Sequence, residues 1–218
     1  MPELAKTLLT GLGETLYMTI GASVLAYLLG LPLGVLIFTS EKGGIRPRRT
    51  LHTVLGITVN LLRSVPFIIL LIAVMPFTRW IAGTTIGSTA TIVPLVIGSA
   101  PYVARLTETS LKEVDAGLIE AAQSMGASDR QIVWKVLLPE AIPSLLLGGT
   151  IAVTTILGYS AMSGFVGGGG LGDIAIRYGY YRYNTPVMFL TIGILVLIVQ
   201  IIQETGLSLS RRKDKRNR

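Results

Sequence analysis

Gly167-x-Gly169-x-x-Gly172 spells the glycine pattern that, between a strand and a helix, lets backbone N–H groups cradle a pyrophosphate. Here it follows an apolar run long enough to cross a membrane, so a dinucleotide site is rejected and the glycines read as positions of backbone packing. No Gly-x4-Gly-Lys-Ser/Thr phosphate loop occurs, so any ATP dependence has to come from another subunit. The single His52 cannot build a multi-histidine metal site and has no Ser-His-Asp or His-Glu-x-x-His context. With no cysteine in the chain, thiolate ligands and nucleophiles are excluded as well. Enzyme chemistry finds no support, and no resident metal or cofactor is expected.

Two constellations remain. Arg63-Ser64-Val65-Pro66-Phe67 places a cation about twelve residues into an apolar run, roughly 18 Å from its end at about 1.5 Å per residue. An arginine at that depth costs at least about 2.5–3.5 kcal/mol, so it must face protein or water and find acceptors, either a carbonyl released by Pro66 or Glu108. A structural clamp and a place on a transport route both fit this residue. The second constellation is a polar, amphipathic island between apolar runs, Glu120-Ala121-Ala122-Gln123-Ser124-Met125-Gly126, followed nine residues later by Val136-Leu137-Leu138-Pro139. Asp115 can cap a short helix whose apolar side is Leu118, Ala121, Ala122 and Met125, with Glu120, Gln123 and Ser124 on other faces. Gly126 suits a left-handed helix end, and Ser128-x-x-Gln131 reads as a capping box opening a second helix with the stripe Ile132, Val133, Val136, Leu137. Left in water between two membrane spans, such a segment serves to dock another protein.

The elements that must hold these residues follow from composition. Half of the 218 residues are hydrophobic, 14% are charged, and the mean hydropathy is +0.64, too apolar for an ordinary soluble domain. Five runs approach or exceed the roughly 20 residues that cross about 30 Å of hydrocarbon: about Thr15–Phe38, Leu51–Phe77, Ile86–Leu106, Ala141–Val166 and Pro186–Leu207. The expected fold is an all-α membrane protein of five transmembrane helices in one domain spanning 1–218, with a loop of about 110–139 between helices 3 and 4. Gly30-Leu-Pro32-Leu-Gly34 predicts close packing and a bend in helix 1, while Pro139 and Pro143 fit the start of helix 4. The first run lacks a basic leader and a small-residue cleavage site, so it is expected to be retained.

Basic residues sort by loop. Lys42, Arg46, Arg48, Arg49, Arg105, Lys112, Arg130, Lys135 and the run Arg211–Arg218 fall on one side, against Lys6, Arg79, Arg177 and Arg182 on the other. The positive-inside rule then puts the N-terminus outside and the C-terminus in the cytoplasm. The basic tail reads as a segment resting on anionic headgroups, and nucleic-acid binding is not expected. Acidic groups cluster at span ends and in loops, which weighs against proton-coupled transport. Tyr178, Tyr180, Tyr181 and Tyr183 read as an interfacial aromatic belt, or alternatively as a docking surface.

The pattern Glu120-Ala121-Ala122-x3-Gly126-x9-Val136-x-Leu138-Pro139 resembles the signature loop of permease subunits in binding-protein-dependent ABC importers, departing only in Val136 where isoleucine is usual. The resemblance extends over nearly the whole chain. Within the family it is most similar to methionine-importer permeases, through Arg63-Ser-Val-Pro-Phe-Ile-Ile-Leu-Leu, Gly117-Leu-Ile-Glu-Ala-Ala, Gly158-Tyr-Ser-Ala-Met-Ser-Gly, Gly169-Gly-Leu-Gly and Tyr178-Gly-Tyr. What the resemblance implies is a bacterial inner-membrane homodimer, served by two cytoplasmic ATPase subunits and an extracytoplasmic substrate-binding protein. Glu120, Ala121, Ala122, Met125 and Gly126 would form the coupling helix that sits in a groove of each ATPase. The route would follow the dimer axis, with Arg63, Tyr159, Ser160, Met162 and Ser163 as first candidates and plain packing as the alternative for the last four. A permease for another polar amino acid, or a membrane scaffold that moves no solute, are the competing functions.

Overall fold

A computed structural model describes residues 2–213; Lys215, Arg216 and Arg218 of the basic tail lie outside the described residues. Every regular element among the described residues is helical. Four helices are long and apolar enough to cross a membrane, and a bent pair makes a fifth span if counted as one.

Helix α1 runs Pro2–Thr39 without interruption, starting well before the expected Thr15 and passing through Pro32. Its second half packs backbone to backbone. A Cβ on Gly30 would lie 2.6 Å from the Ala100 carbonyl oxygen, and one on Gly34 would lie 2.5 Å from Thr107 Cβ. Small residues at this spacing are what permit so close an approach.

The second expected span is not one helix. Helix α2, Arg49–Ser64, stops, and α3, Phe67–Ala73, sets off at 100° to it, followed by α4, Met75–Ala82. Pro66 is the cause: it lacks an N–H to continue α2 and pushes Val65 out of the helical region. With φ −56° and ψ 133° it then starts α3, its carbonyl accepting the N–H groups of Ile69 and Leu70 at 3.0 Å each. Gly83, at φ 73°, closes α4 in the left-handed conformation that glycine adopts without strain.

Helix α5 spans Ser88–Lys112, longer than expected at its C-terminal end. A short helix α6, Ala116–Ser124, leads through α7, Asp129–Ile132, and a π-helical turn, Val133–Leu137, into α8, Leu138–Glu140. The π register ends directly before Pro139, whose missing N–H removes the next α-type bond. The expected second loop helix is therefore regular only over its first turn, and Ile132 and Leu137 of its stripe are buried within the protein. Helix α9, Ile142–Met162, carries Pro143 as its second residue and ends in a 3₁₀ turn, Ser163–Val166. Helix α10, Gly170–Ile174, continues as a π turn to Tyr180, and α11, Thr185–Lys213, completes the described chain.

These elements form two compact units. One comprises the chain up to Ala26, Val65–Ser99 and Ala152–Gln203; the other comprises Tyr27–Ser64, Ala100–Ile151 and the chain from Glu204.

In the first unit, the glycine pattern serves α10. Gly169 has no side chain to cap α10, and α1 supplies the caps instead: the Glu14 carboxylate accepts from Gly170 N–H at 2.7 Å and the Thr15 hydroxyl accepts from Leu171 N–H at 2.9 Å. Gly172 lies against the end of α9, where an added Cβ would stand 2.5 Å from Ala161 Cα. Leu8, Leu171, Ile174 and Val187 form the buried core beneath. Glu14→Gln is expected to replace a charge-assisted bond with a neutral one, costing about 1 kcal/mol. A thermal unfolding midpoint in detergent a few degrees below wild type, with Glu3→Gln unchanged, would be the expected result.

Candidate functional site

The polar island between α5 and α9 is built by local signals that all operate. The Asp115 side chain accepts from Gly117 N–H at 2.7 Å and opens α6. At its other end Gly126, at φ 77°, donates to the Gln123 carbonyl at 2.9 Å, and Ala127 N–H donates to the Ala122 carbonyl at 3.1 Å. These two bonds are the paired closure of a Schellman motif, and Ala122 and Ala127 meet in the same apolar cluster, as that motif favours. The capping box is complete: Ser128 N–H donates to Gln131 Oε1 at 2.8 Å, and Gln131 N–H donates to the Ser128 hydroxyl at 3.4 Å.

Helix α6 does not present its apolar residues as a single face. Ala122 is 4% exposed and packs inward with Leu111, Val114, Ile132 and Leu137, joined by Phe38 and Ile45 from the chain around the end of α1. Leu118, Ala121 and Met125 point outward, with Met125 81% exposed. The expectation that Ala121 and Ala122 act together on a partner is thereby corrected: Ala122 roots the helix, and the outward face is Leu118, Ala121 and Met125. Glu120 and Gln123 lie between these faces and line a cavity of about 510 Å³ shared with Phe38, Glu41, Gly44 and Lys112.

Beside this cavity runs a chain of charges that sequence reasoning did not assemble. The Glu108 carboxylate, 3% exposed, is held by Arg105 and by Lys112 Nζ at 3.0 Å, and Lys112 Nζ also stands 3.0 Å from Glu41 Oε2. The spacing Arg105-x-x-Glu108-x-x-x-Lys112 was the available signal, since residues three and four apart on a helix are neighbours.

Glu108, one of the partners expected for Arg63, is held instead by Arg105 and Lys112. Arg63 is exposed at the end of α2, with its guanidinium 5.7 Å from the centroid of the Tyr102 ring. A cation over a ring face is attracted by the ring quadrupole.

The four candidates on α9 separate in the same way. Ser160 and Ser163 are buried, and their hydroxyls donate to Leu157 and Ser160 carbonyls at 2.8 and 2.6 Å. Gly168 covers Ser163 closely, since a Cβ there would stand 2.5 Å from the Ser163 hydroxyl oxygen. Within this protomer both serines are buried and bonded to their own helix, in keeping with the packing alternative. Tyr159 is half-buried and stacks on Phe67, centroids 4.2 Å apart and planes 3° from parallel. The outward face of this region is Gly158, Met162 and Phe165. Of the tyrosine group, Tyr178 packs against the apolar core with Arg182 4.7 Å above its ring, whereas Tyr180, Tyr181 and Tyr183 are exposed.

Comparison with known proteins adds four findings. A family model for the binding-protein-dependent transport system inner membrane component matches residues 30–204. The chain is 53% identical to the probable D-methionine transport system permease protein MetI of Vibrio cholerae, over 96% of this chain and 93% of that one. It is 43% identical to the methionine import system permease protein MetP of Bacillus subtilis, over 93% and 91%. A solved structure of inward-facing conformations of the MetNI methionine ABC transporter superimposes with a TM-score of 0.97 at 46% identity, covering 99% of this chain and 100% of that one.

Proposed function

The chain belongs to the family of binding-protein-dependent transport system inner membrane components, and from that premise we infer that it is the permease subunit of an ATP-driven methionine importer. The observation that carries the coupling role is α6, a doubly capped helix rooted by Ala122 and offering Leu118, Ala121 and Met125 outward. An amphipathic helix offered in this way docks into a groove of its partner. That partner is a cytoplasmic ATPase, which supplies the phosphate-binding machinery that this sequence lacks.

The working assembly is two copies of this chain, two ATPase subunits and an extracytoplasmic binding protein. The concentration of basic residues on the α6 side supports an outside N-terminus and a cytoplasmic C-terminus. On that orientation Tyr180, Tyr181 and Tyr183 are presented to the side where the binding protein delivers substrate. ATP binding favours the arrangement in which the ATPases are closed, and the docked α6 helices follow them, biasing the dimer between inward-open and outward-open states. The permease transmits this displacement and holds no cofactor of its own. Arg63, Met162 and the Tyr159–Phe67 stack are the groups to place along the route, since a charge exposed within a membrane span needs water or a partner protein around it.

The test is uptake of labelled methionine into vesicles holding this chain with its ATPase, supplied with ATP inside and the binding protein outside. Uptake that needs ATP and is competed by methionine, with other polar amino acids in excess leaving it unchanged, is expected. An ATPase that binds and turns over while no methionine enters would overturn the assignment.

A further inference from the structure

We propose that Glu41 and Lys112 are positioning residues for energy coupling: their bridge, anchored by Glu108 and Arg105, ties the end of α1 to the end of α5 so that a displacement of α6 moves both helices together. This rests on the reading of α6 as the helix that docks the ATPase.

The two helices are joined to α6 in different ways. Lys112 is the last residue of α5, and the α6 cap Asp115 follows within three residues, so a pull on α6 reaches α5 through the backbone. Helix α1 has no such continuity. The turn that follows it is stiff, with Gly44 N–H on the Glu41 carbonyl at 2.9 Å and Arg46 N–H on the Thr39 carbonyl at 3.0 Å. Yet a cavity of about 510 Å³ lies between that turn and α6, so over this stretch the two do not interlock. Apolar packing around Phe38 and Ala122 joins them elsewhere, through contacts that carry no direction of their own. The bridge from Lys112 Nζ to Glu41 Oε2, at 3.0 Å between side chains 43% and 40% exposed, adds a directional link worth up to about 1 kcal/mol.

The cost of the arrangement points the same way. A carboxylate as buried as Glu108 is carried only because two cations hold it, and apolar residues of similar volume often serve stability as well or better. The bonds that hold Glu108 lie within α5, and they fix the Lys112 ammonium at the helix end, from which the exposed link to Glu41 reaches the turn after α1. A turn or two deeper, Gly34 brings the same two helices into backbone contact beside Thr107, so the pair is joined twice.

The experiment uses the complete transporter in vesicles, with Glu41→Gln and Lys112→Met in this chain. Methionine imported per ATP hydrolysed is read together with the amount of ATPase that co-purifies. Co-purification is expected to stay at wild-type level, while the transport ratio falls about 3-fold for Glu41→Gln and about 10-fold for Lys112→Met. Because the chain has no cysteine, Glu41→Cys combined with Lys112→Cys can be joined by a short thiol-reactive cross-linker, which is expected to restore the ratio without any charge. An unchanged ratio in both single variants, a cross-link that fails to restore it, or loss of the ATPase from Glu41→Gln would overturn the proposal. Met125→Asp run alongside tests the underlying reading: an ATPase still bound to that variant removes α6 as the docking helix, whatever the relay variants do.

Discussion

Met125→Asp is expected to strip the ATPase from the permease while leaving the permease folded. Met125 is exposed in the protomer, so the change removes almost no internal packing, and surface substitutions of that kind stay within about 0.5 kcal/mol. In the docked state the same side chain would be buried. Losing that burial forfeits about 1.5–3 kcal/mol, before the cost of dehydrating a carboxylate is added. Association should weaken by about 10- to 100-fold. Co-purification of ATPase with this chain is the direct readout, and ATP-dependent uptake should fall with it. The contrast is Ala122→Asp, one helical step away, which would bury a charge inside the protomer and is expected to reduce recovered protein instead.

The largest effect on the fold is expected from Gly172→Ala. The added methyl group would meet Ala161 Cα at 2.5 Å, with the Ala161 carbonyl also in its way. Backbone cannot rotate aside as a side-chain tip does, so α10 would have to lift from the end of α9. The cost should reach the upper end of overpacking, about 3 kcal/mol, lowering the thermal midpoint by about 6–12 °C. Gly193→Ala on α11 is the control, because nothing lies within 4 Å of its Cβ position, and it should leave the midpoint unchanged.

The contrast between these glycines shows what a sequence makes legible. Asp115, Gly126 and the Ser128–Gln131 pair act on groups a few residues away, so the caps of α6 and α7 were readable in full. Spans 3 to 5 were placed by composition alone, with ends shifted. The second span was read as continuous because hydropathy is indifferent to direction, although Pro66 carried the break. Whether Ala121 or Ala122 faces inward depends on where Phe38, Ile45 and Leu111 arrive, and nothing within α6 records that. The serines on α9 looked available for solute because they are polar, yet their own helix satisfies them. The glycine pattern was assigned to packing, but its partner Ala161 and its caps Glu14 and Thr15 are tertiary facts.

Those caps also set a schedule for biosynthesis. Glu14 and the Gly170 N–H it accepts from are separated by 156 residues. At about 5–20 residues per second, a ribosome needs about 8 to 30 s to make the intervening chain. Until Gly170 and Leu171 have been made, Glu14 and Thr15 lack the donors they cap in the finished protein, so this contact between the first helix and α10 can close only late in synthesis.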